Sequence, residues 1–235
     1  MKYYAIADIH GRLDLLKLAF EAITKDILTK DVSEAKIITL GDYIDRGPES
    51  KQVLDFLVSW QDEPNLICLQ GNHEQIMLQS ITTPLHPDWW VSNGGDTTLG
   101  SYGWGGEPYI QLSYEVVPKD HLKWLASLPL YYETEKQVFV HAGIPQWDMN
   151  LDKASATNQE KMQWMLYGKQ DSGGWKGKHV VHGHRQFEDG PHVWLNAKNG
   201  GRTDLDTWAY YTGRLVVGVF DDTQLHAIDY IEIKE

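Results

Sequence analysis

Short apolar runs alternate with amphipathic stretches along most of the chain, which predicts strands separated by helices and an α/β class with parallel pairing. Tyr3–Ala7, Lys36–Leu40 and Asn65–Leu69 read as strands. Between the first two, Leu13, Leu16, Phe20, Ile23 and Ile27 recur at steps of three and four, so a helix from about Arg12 to Thr29 carries one apolar face. After the second strand, Pro48 suits a first helical turn, and Val53, Leu54, Leu57 and Val58 supply a second buried stripe. The periodicity is lost from Ile81 to Val117, a stretch rich in glycine and proline that reads as a loop-rich insertion or cap. Beyond it, Leu128–Glu133 and Gln137–His141 predict a hairpin, Asn158–Gly168 a helix and His179–His182 a buried strand. Val193–Asn196, Leu215–Phe220 and Leu225–Ile233 predict an antiparallel meander. With no linker, repeat or low-complexity tract, residues 1–235 read as one domain.

Composition narrows the partners. Apolar residues make up 42% and charged residues 23%, ordinary values for a globular chain. The net charge of −12 argues against duplex nucleic acid, whose binding requires Lys and Arg to displace counterions from phosphates. Any anionic substrate must then be met by a local cluster of positive charge, such as metal ions. Cys68, the sole cysteine, can form neither an internal disulfide nor a thiolate metal site, so a reducing compartment is expected. Asp8 cuts the N-terminal apolar stretch short of a signal peptide, and no run reaches the ~18 residues that span a bilayer. A soluble, cytoplasmic protein without membrane partners is the expectation.

The chemistry is concentrated where the predicted strands end. Asp8 and His10 end the first, Asp42 follows the second, Asn72 and His73 the third, His141 a fourth, and His182 and His184 a fifth. Open α/β sheets place their binding crevice at these carboxyl ends. Singly, each residue suits a turn, a helix cap or a core histidine. Together they repeat one pattern five times, an apolar strand followed by a hard ligand flanked by glycine, with glycines at 11, 41, 47, 71, 143 and 183. A dinuclear centre needs six or seven oxygen and nitrogen donors, with one carboxylate able to bridge two cations ~3.5–4 Å apart.

The strings ADIHG from Ala7, GDYIDRG from Gly41, GNHE from Gly71, HAG from His141 and GH at Gly183 and His184 occur in the order of a known set of blocks. They resemble the phosphoprotein-phosphatase branch of the calcineurin-like metallophosphoesterases, which includes lambda-type serine/threonine phosphatases and symmetrical diadenosine tetraphosphatases. NGGDTTLGSYG from Asn93 and LDTWAYYTGRL from Leu205 resemble its small bacterial members. The resemblance implies an α/β, four-layer αββα sandwich of two mixed β-sheets with helices outside. It implies two divalent metal ions, manganese most often, with iron, zinc or magnesium as alternatives. Asp8 and His10 would bind the first ion, Asp42 would bridge, and Asn72, His141 and His184 would complete the second. His73 would protonate the leaving group with Asp45 holding its ring, and Arg46 and Asn72 would bind phosphate. Such a site makes hydroxide near neutral pH, because a metal-bound water can fall from a pKa of 15.7 to about 7.

GDYIDRG keeps an acid at Asp45, where symmetrical tetraphosphatases typically carry something like V-A-R-G. A phosphomonoesterase acting on a phosphopeptide (phosphoserine or phosphothreonine) or on a small phosphoester is therefore expected. A symmetrical bis(5'-nucleosyl)-tetraphosphatase is the alternative, and a non-catalytic interaction module on the same fold a second. The chain departs from the pattern twice. Arg185 follows His184 where a small hydroxyl is usual, and Trp164, Met165 and Leu166 stand where relatives carry Trp-x-Arg. Arg185 or Arg202 is expected to supply the missing phosphate-binding charge. His182 is read as core or as support for the ligand His184. Trp89, Trp90, Trp104 and Trp175 could line a substrate wall or pack beneath loops.

Overall fold

The computed structural model describes residues 1–82, 87–105, 116–146, 148–168, 171 and 173–235. Its frame is a pair of five-stranded mixed sheets. In the first, β1 (Lys2–Ile6), β2 (Ala35–Thr39) and β3 (Leu66–Cys68) run parallel, with Tyr4 in register with Ile37 and Ile38 with Ile67. In the second, β4 (Tyr131–Glu133) forms the expected hairpin with β5 (Gln137–Val140), followed in parallel by β6 (His179–His182) and β8 (Arg202–Asp204). The edge strand β7 (His192–Trp194) lies antiparallel to β8. On the far side of β1, β9 (Arg214–Asp221) and β10 (Asp229–Lys234) close the first sheet antiparallel.

Side-chain alternation of period two assigns the layers. Tyr3, Ala5 and Ala7 point to a core between the sheets, where Ile38, Leu40 and Leu69 meet Phe139, Val181, Leu205 and Phe220. Tyr4 and Ile6 point the other way, into a core shared with helices α1 (Leu13–Thr29) and α2 (Ser50–Ser59). The predicted stripe of α1 is the one buried, through Leu15, Leu16, Ala19, Phe20 and Ile23. Val138, Val140 and Val180 cover the outer face of the second sheet with Met149, Leu151, Met162 and Trp175. The order helix, sheet, sheet, helix is the predicted four-layer sandwich, and no helix among the described residues is long and apolar enough to cross a membrane.

Three expectations change. The C-terminal third is split between the two sheets rather than forming one meander, because β8, with the sequence Arg-Thr-Asp, is a fully buried strand with no apolar signal. The helix predicted over 158–168 spans Ala156–Trp164 (α7) and stops where Met165 turns extended. The predicted insertion, where described, is helical: α3 (Asn72–Thr82) runs into it, followed by α4 (Pro87–Trp90), a π turn over Val91–Gly95 and α5 (Asp96–Ser101). Its residues 83–86 and 106–115 lie outside the described set. α6 (Lys119–Ser127) and the short α8 (Ala209–Thr212) complete the helices used below.

Candidate dinuclear metal centre

The loops that leave β1, β2, β3, β5 and β6 converge on one rim, and their backbone is unusual. Asp8, His10, Asp42, Asp45, Arg46 and His184 all sit at positive φ, between 44° and 71°. Non-glycine residues in the left-handed region cost on the order of 1 kcal/mol or more and persist only where the surroundings over-determine them. Here they are fixed by cross-loop bonds. The His10 and Gly11 amides donate to the Asp42 and Tyr43 carbonyls, and the Glu74 carboxylate accepts from the amides of Gly71, Asp42 and Tyr43 at 2.8–2.9 Å. Gly183 lets the β6 loop close on β1, since a Cβ there would lie 1.9 Å from Asp8 Oδ2.

Two groups of donors share one carboxylate. His10, Asp42 and His73 bring ligand atoms within 4.8 Å of one another, and Asp42, His141 and His184 do the same. Asp42 Oδ2 faces His10 Nε2 at 3.6 Å and His73 Nε2 at 3.8 Å, while Oδ1 faces His141 Nε2 at 3.4 Å. The tautomers follow from the other ring nitrogens. His10 Nδ1 donates to the Ile44 carbonyl at 2.8 Å and His141 Nδ1 to the Leu40 carbonyl at 2.9 Å, so each neutral ring turns a bare Nε2 lone pair toward Asp42. Lone pairs aimed at carboxylate oxygens repel unless a cation lies among them, and oxygen and imidazole donors without thiolate suit a hard or borderline divalent ion. The donor set therefore fits two such ions.

Charge states agree with that fit. Burial holds His10 and His141 below the usual imidazole range, and burial with the neighbouring His141 brings His184 down to about 3, so all three stay in the neutral, ligating form. Burial opposes ionisation of Asp42, but His141, His73, His10 and His184 outweigh it and hold its pKa below the usual carboxylate range. Burial, Asp206 and Asp42 push Asp8 up.

His73 differs from the other imidazoles. Its Nδ1 lies 2.7 Å from Asp45 Oδ2. Burial works against a charged ring, but Asp42 and the bond to Asp45 overcome it and raise the His73 pKa. Arg46 reaches the same cluster: its Nη1 donates to His10 Nε2 at 2.9 Å, on the lone pair a cation would take, and its guanidinium lies 5.2 Å from the Tyr210 ring centre.

Not every expected residue joins. Asp8 stands outside the His10 group, and both its oxygens accept from the His184 amide, at 3.1 and 3.0 Å. Asn72 turns its side-chain oxygen to His141 Nε2 at 2.7 Å. Arg202 is corrected: it is fully buried, 3.4 Å from the centre of the Trp194 ring and 3.1 Å from His182 Nε2, so a phosphate would have to enter the core to reach it. Arg185, half-buried beside His184, donates to the Tyr167 carbonyl and lies over Phe187. His182 is core, as read. Trp175 and Trp90 are buried rather than forming an open wall, and Trp104 packs on the helix-side core. Trp89 is 43% exposed, stacked on Trp164 at 5.4 Å, and Trp164 stands edge-on to His184 at 6.3 Å.

Glu74, Tyr210 and Asp206 escaped the sequence reading. Asp206 is buried with one oxygen unpartnered and is raised to about 7 by burial, with Asp42 adding to the rise. All three lie inside strings quoted above, GNHE and LDTWAYYTGRL, but bracing three amides, stacking on an arginine or facing Asp8 has no spacing signal.

A family model for calcineurin-like phosphoesterases matches residues 1–213. The symmetrical bis(5'-nucleosyl)-tetraphosphatase of Pseudomonas syringae pv. tomato is 28% identical over 174 residues, 72% of this chain but 50% of its own length. The chain thus spans about half of that relative. The asymmetrical bis(5'-nucleosyl)-tetraphosphatase PrpE of Anoxybacillus flavithermus is 26% identical over 92% of this chain and 89% of its own. A solved cold-active protein tyrosine phosphatase shares the fold, with a TM-score of 0.57 at 21% identity, over 94% of this chain and 77% of that one.

Proposed function

The chain belongs to the calcineurin-like phosphoesterase family, and from that premise we propose that it is a metal-dependent phosphomonoesterase releasing an alcohol, from phosphoserine, phosphothreonine or a small phosphoester. His10 and Asp42 would hold one divalent cation, joined by Asp8 once its carboxylate turns from the His184 amide, and Asp42, Asn72, His141 and His184 would hold the other. The pair, manganese foremost among the fitting ions, would supply hydroxide near neutral pH and offset the phosphoryl charge.

The residues of the chain do the rest. Arg46 presents its planar fork to the nonbridging oxygens, leaving His10 Nε2 free when it turns to them. As the bond from phosphorus to the leaving oxygen breaks, that oxygen takes the Nε2 proton of His73. The ring keeps its Nδ1 proton, held on Asp45.

The single observation that carries the choice of substrate is the 2.7 Å bond between His73 and Asp45. An alkoxide is a strong base and leaves slowly unless protonated, so a dedicated, buried proton donor is matched to an alcohol. A nucleoside phosphate leaves readily as an anion and gains little from one.

A second reading, hydrolysis of a dinucleoside tetraphosphate, is favoured by the activities in the names of the two relatives. It is also favoured by the exposed face of Trp89, on which a nucleobase could stack. Turnover of a phosphopeptide, p-nitrophenyl phosphate and diadenosine tetraphosphate by the manganese-loaded protein separates the two. The first reading expects the phosphopeptide to give the highest kcat/KM of the three, and a preference for the dinucleotide replaces it with the second.

A further inference from the structure

The buried indole of Trp90 is bonded to the carboxylate that holds His73. Its Nε1 lies 3.0 Å from Asp45 Oδ1 and 3.1 Å from Oδ2, so one N–H straddles both oxygens. Thr98, on α5, donates its hydroxyl to Oδ1 at 2.6 Å and accepts the Asp45 amide at 2.8 Å. With His73 on Oδ2, the carboxylate has three side-chain donors and no exposure to solvent. Burial pushes the Asp45 carboxyl up, and the bonds from His73, Thr98 and Trp90 oppose this.

Neither Trp90 nor Thr98 comes from the loop that carries Asp45. Both belong to the segment after α3 whose sequence showed no periodic pattern. That segment is fitted to its task. The indole lies flat on Gly95, where a Cβ would come within 2.6 Å of Nε1, and the Arg46 amide donates to the Gly94 carbonyl at 3.2 Å. A terminal carboxylate torsion is broad when left to itself. Here the indole sets its plane, and the plane aims the lone pair that receives His73 Nδ1–H.

We propose that Trp90, with Thr98, is a positioning residue for departure of the leaving group: it fixes Asp45 so that Asp45 fixes the His73 ring. The inference rests on the reading of His73 as proton donor. It makes the insertion part of the proton-delivery device rather than a cover over the site.

The leaving group provides the test. In the manganese-loaded protein, kcat is measured on a phosphoserine peptide, whose alkoxide needs a proton, and on p-nitrophenyl phosphate, whose phenolate is a weak base. His73→Asn calibrates the split. Trp90→Phe, which keeps a ring but loses the N–H, and Thr98→Val are each expected to lose roughly tenfold or more on the peptide and less than about threefold on the aryl ester. Thr98→Ser, which keeps the hydroxyl, is expected to hold the wild-type ratio. Equal losses on both substrates in Trp90→Phe and Thr98→Val would mean packing alone and would overturn the proposal. If His73→Asn itself shows no split, the proton-donor reading fails first and the inference with it. A second readout needs no metal. The indole N–H resonance of Trp90, assigned by its absence in Trp90→Phe, is expected to move in Asp45→Asn, and an unmoved resonance removes the contact.

Discussion

His184 and His182 stand two residues apart at the end of β6, and their imidazoles meet different company. His184 turns to the front, where its Nδ1 lies 3.3 Å from His141 Nε2 near the Asp42 carboxylate. His182 turns to the rear, where Arg202 Nη1 lies 3.1 Å from its Nε2 and Asp204 Oδ2 3.6 Å from its Nδ1. Both regions bury imidazole beside carboxylate, and both therefore need positive charge in a place water does not reach. The rear has it covalently, as a guanidinium enclosed by Trp194 and Tyr167. The front has Arg46 at its edge and Arg185 beside His184, and its converging acceptors could hold cations from solution. The same residue types thus make a wall in one place and a site in the other. The source of the cation distinguishes them.

The comparison can be broken most sharply at the front. His73→Asn or Asp42→Asn is expected to reduce hydrolysis of an alkyl phosphoester by on the order of 10²–10⁴-fold while the thermal midpoint stays near that of the parent. Wild-type rates in either variant would take the front cluster out of the chemistry. At the rear, Arg202→Leu takes the guanidinium away from His182 Nε2, the Asp171 carbonyl and the Trp194 and Tyr167 rings, and is expected to lower stability in urea unfolding by about 1–3 kcal/mol, with kcat per folded molecule within about twofold. Lost activity at unchanged stability would instead return Arg202 to the substrate.

A third histidine of β6 gives the pH arm. His179 is lowered to about 4, chiefly by burial, while its Nδ1 donates to the Gly200 carbonyl at 2.8 Å. Its unfolded value is 6.5, so the unfolded chain binds the proton first as the solution is acidified. The contribution is fully present above pH 6.5 and is lost as pH falls from there to about 4, up to about 3 kcal/mol in all. His179→Gln should flatten the stability profile over that window, and an unchanged profile would assign the acid sensitivity elsewhere. Ion binding gives a further arm, of which the smallest part is the change in stability per site. Manganese at a hundred times its Kd should stabilise the parent by about 2.7 kcal/mol per site. EDTA should abolish both this gain and turnover, His141→Ala should reduce the gain, and Arg202→Leu should retain it.

Much of the front was legible in the sequence because each candidate ligand follows an apolar strand, and both the strand and the polar residue after it leave a local signal. The sandwich was legible for the same reason through β1, β2, β5 and β6. The rear was not. β8 is polar at all three positions and is held by register with β6 and by Trp194 stacking, which only the folded sheet supplies. Arg202 therefore looked like a free cation. Trp90 illustrates a second kind of silence: among glycines it had no periodicity, and its partner Asp45 lies 45 residues away.

The six left-handed residues of the rim set a limit on how this protein can be improved. Replacing any of them by glycine would relieve backbone strain, the usual route to a sturdier turn, yet each carries a side chain drawn into the candidate site. At these positions robustness and turnover pull in opposite directions. A campaign of random mutagenesis selected for heat resistance alone would be expected to accumulate glycines there and drift toward a durable, inert scaffold.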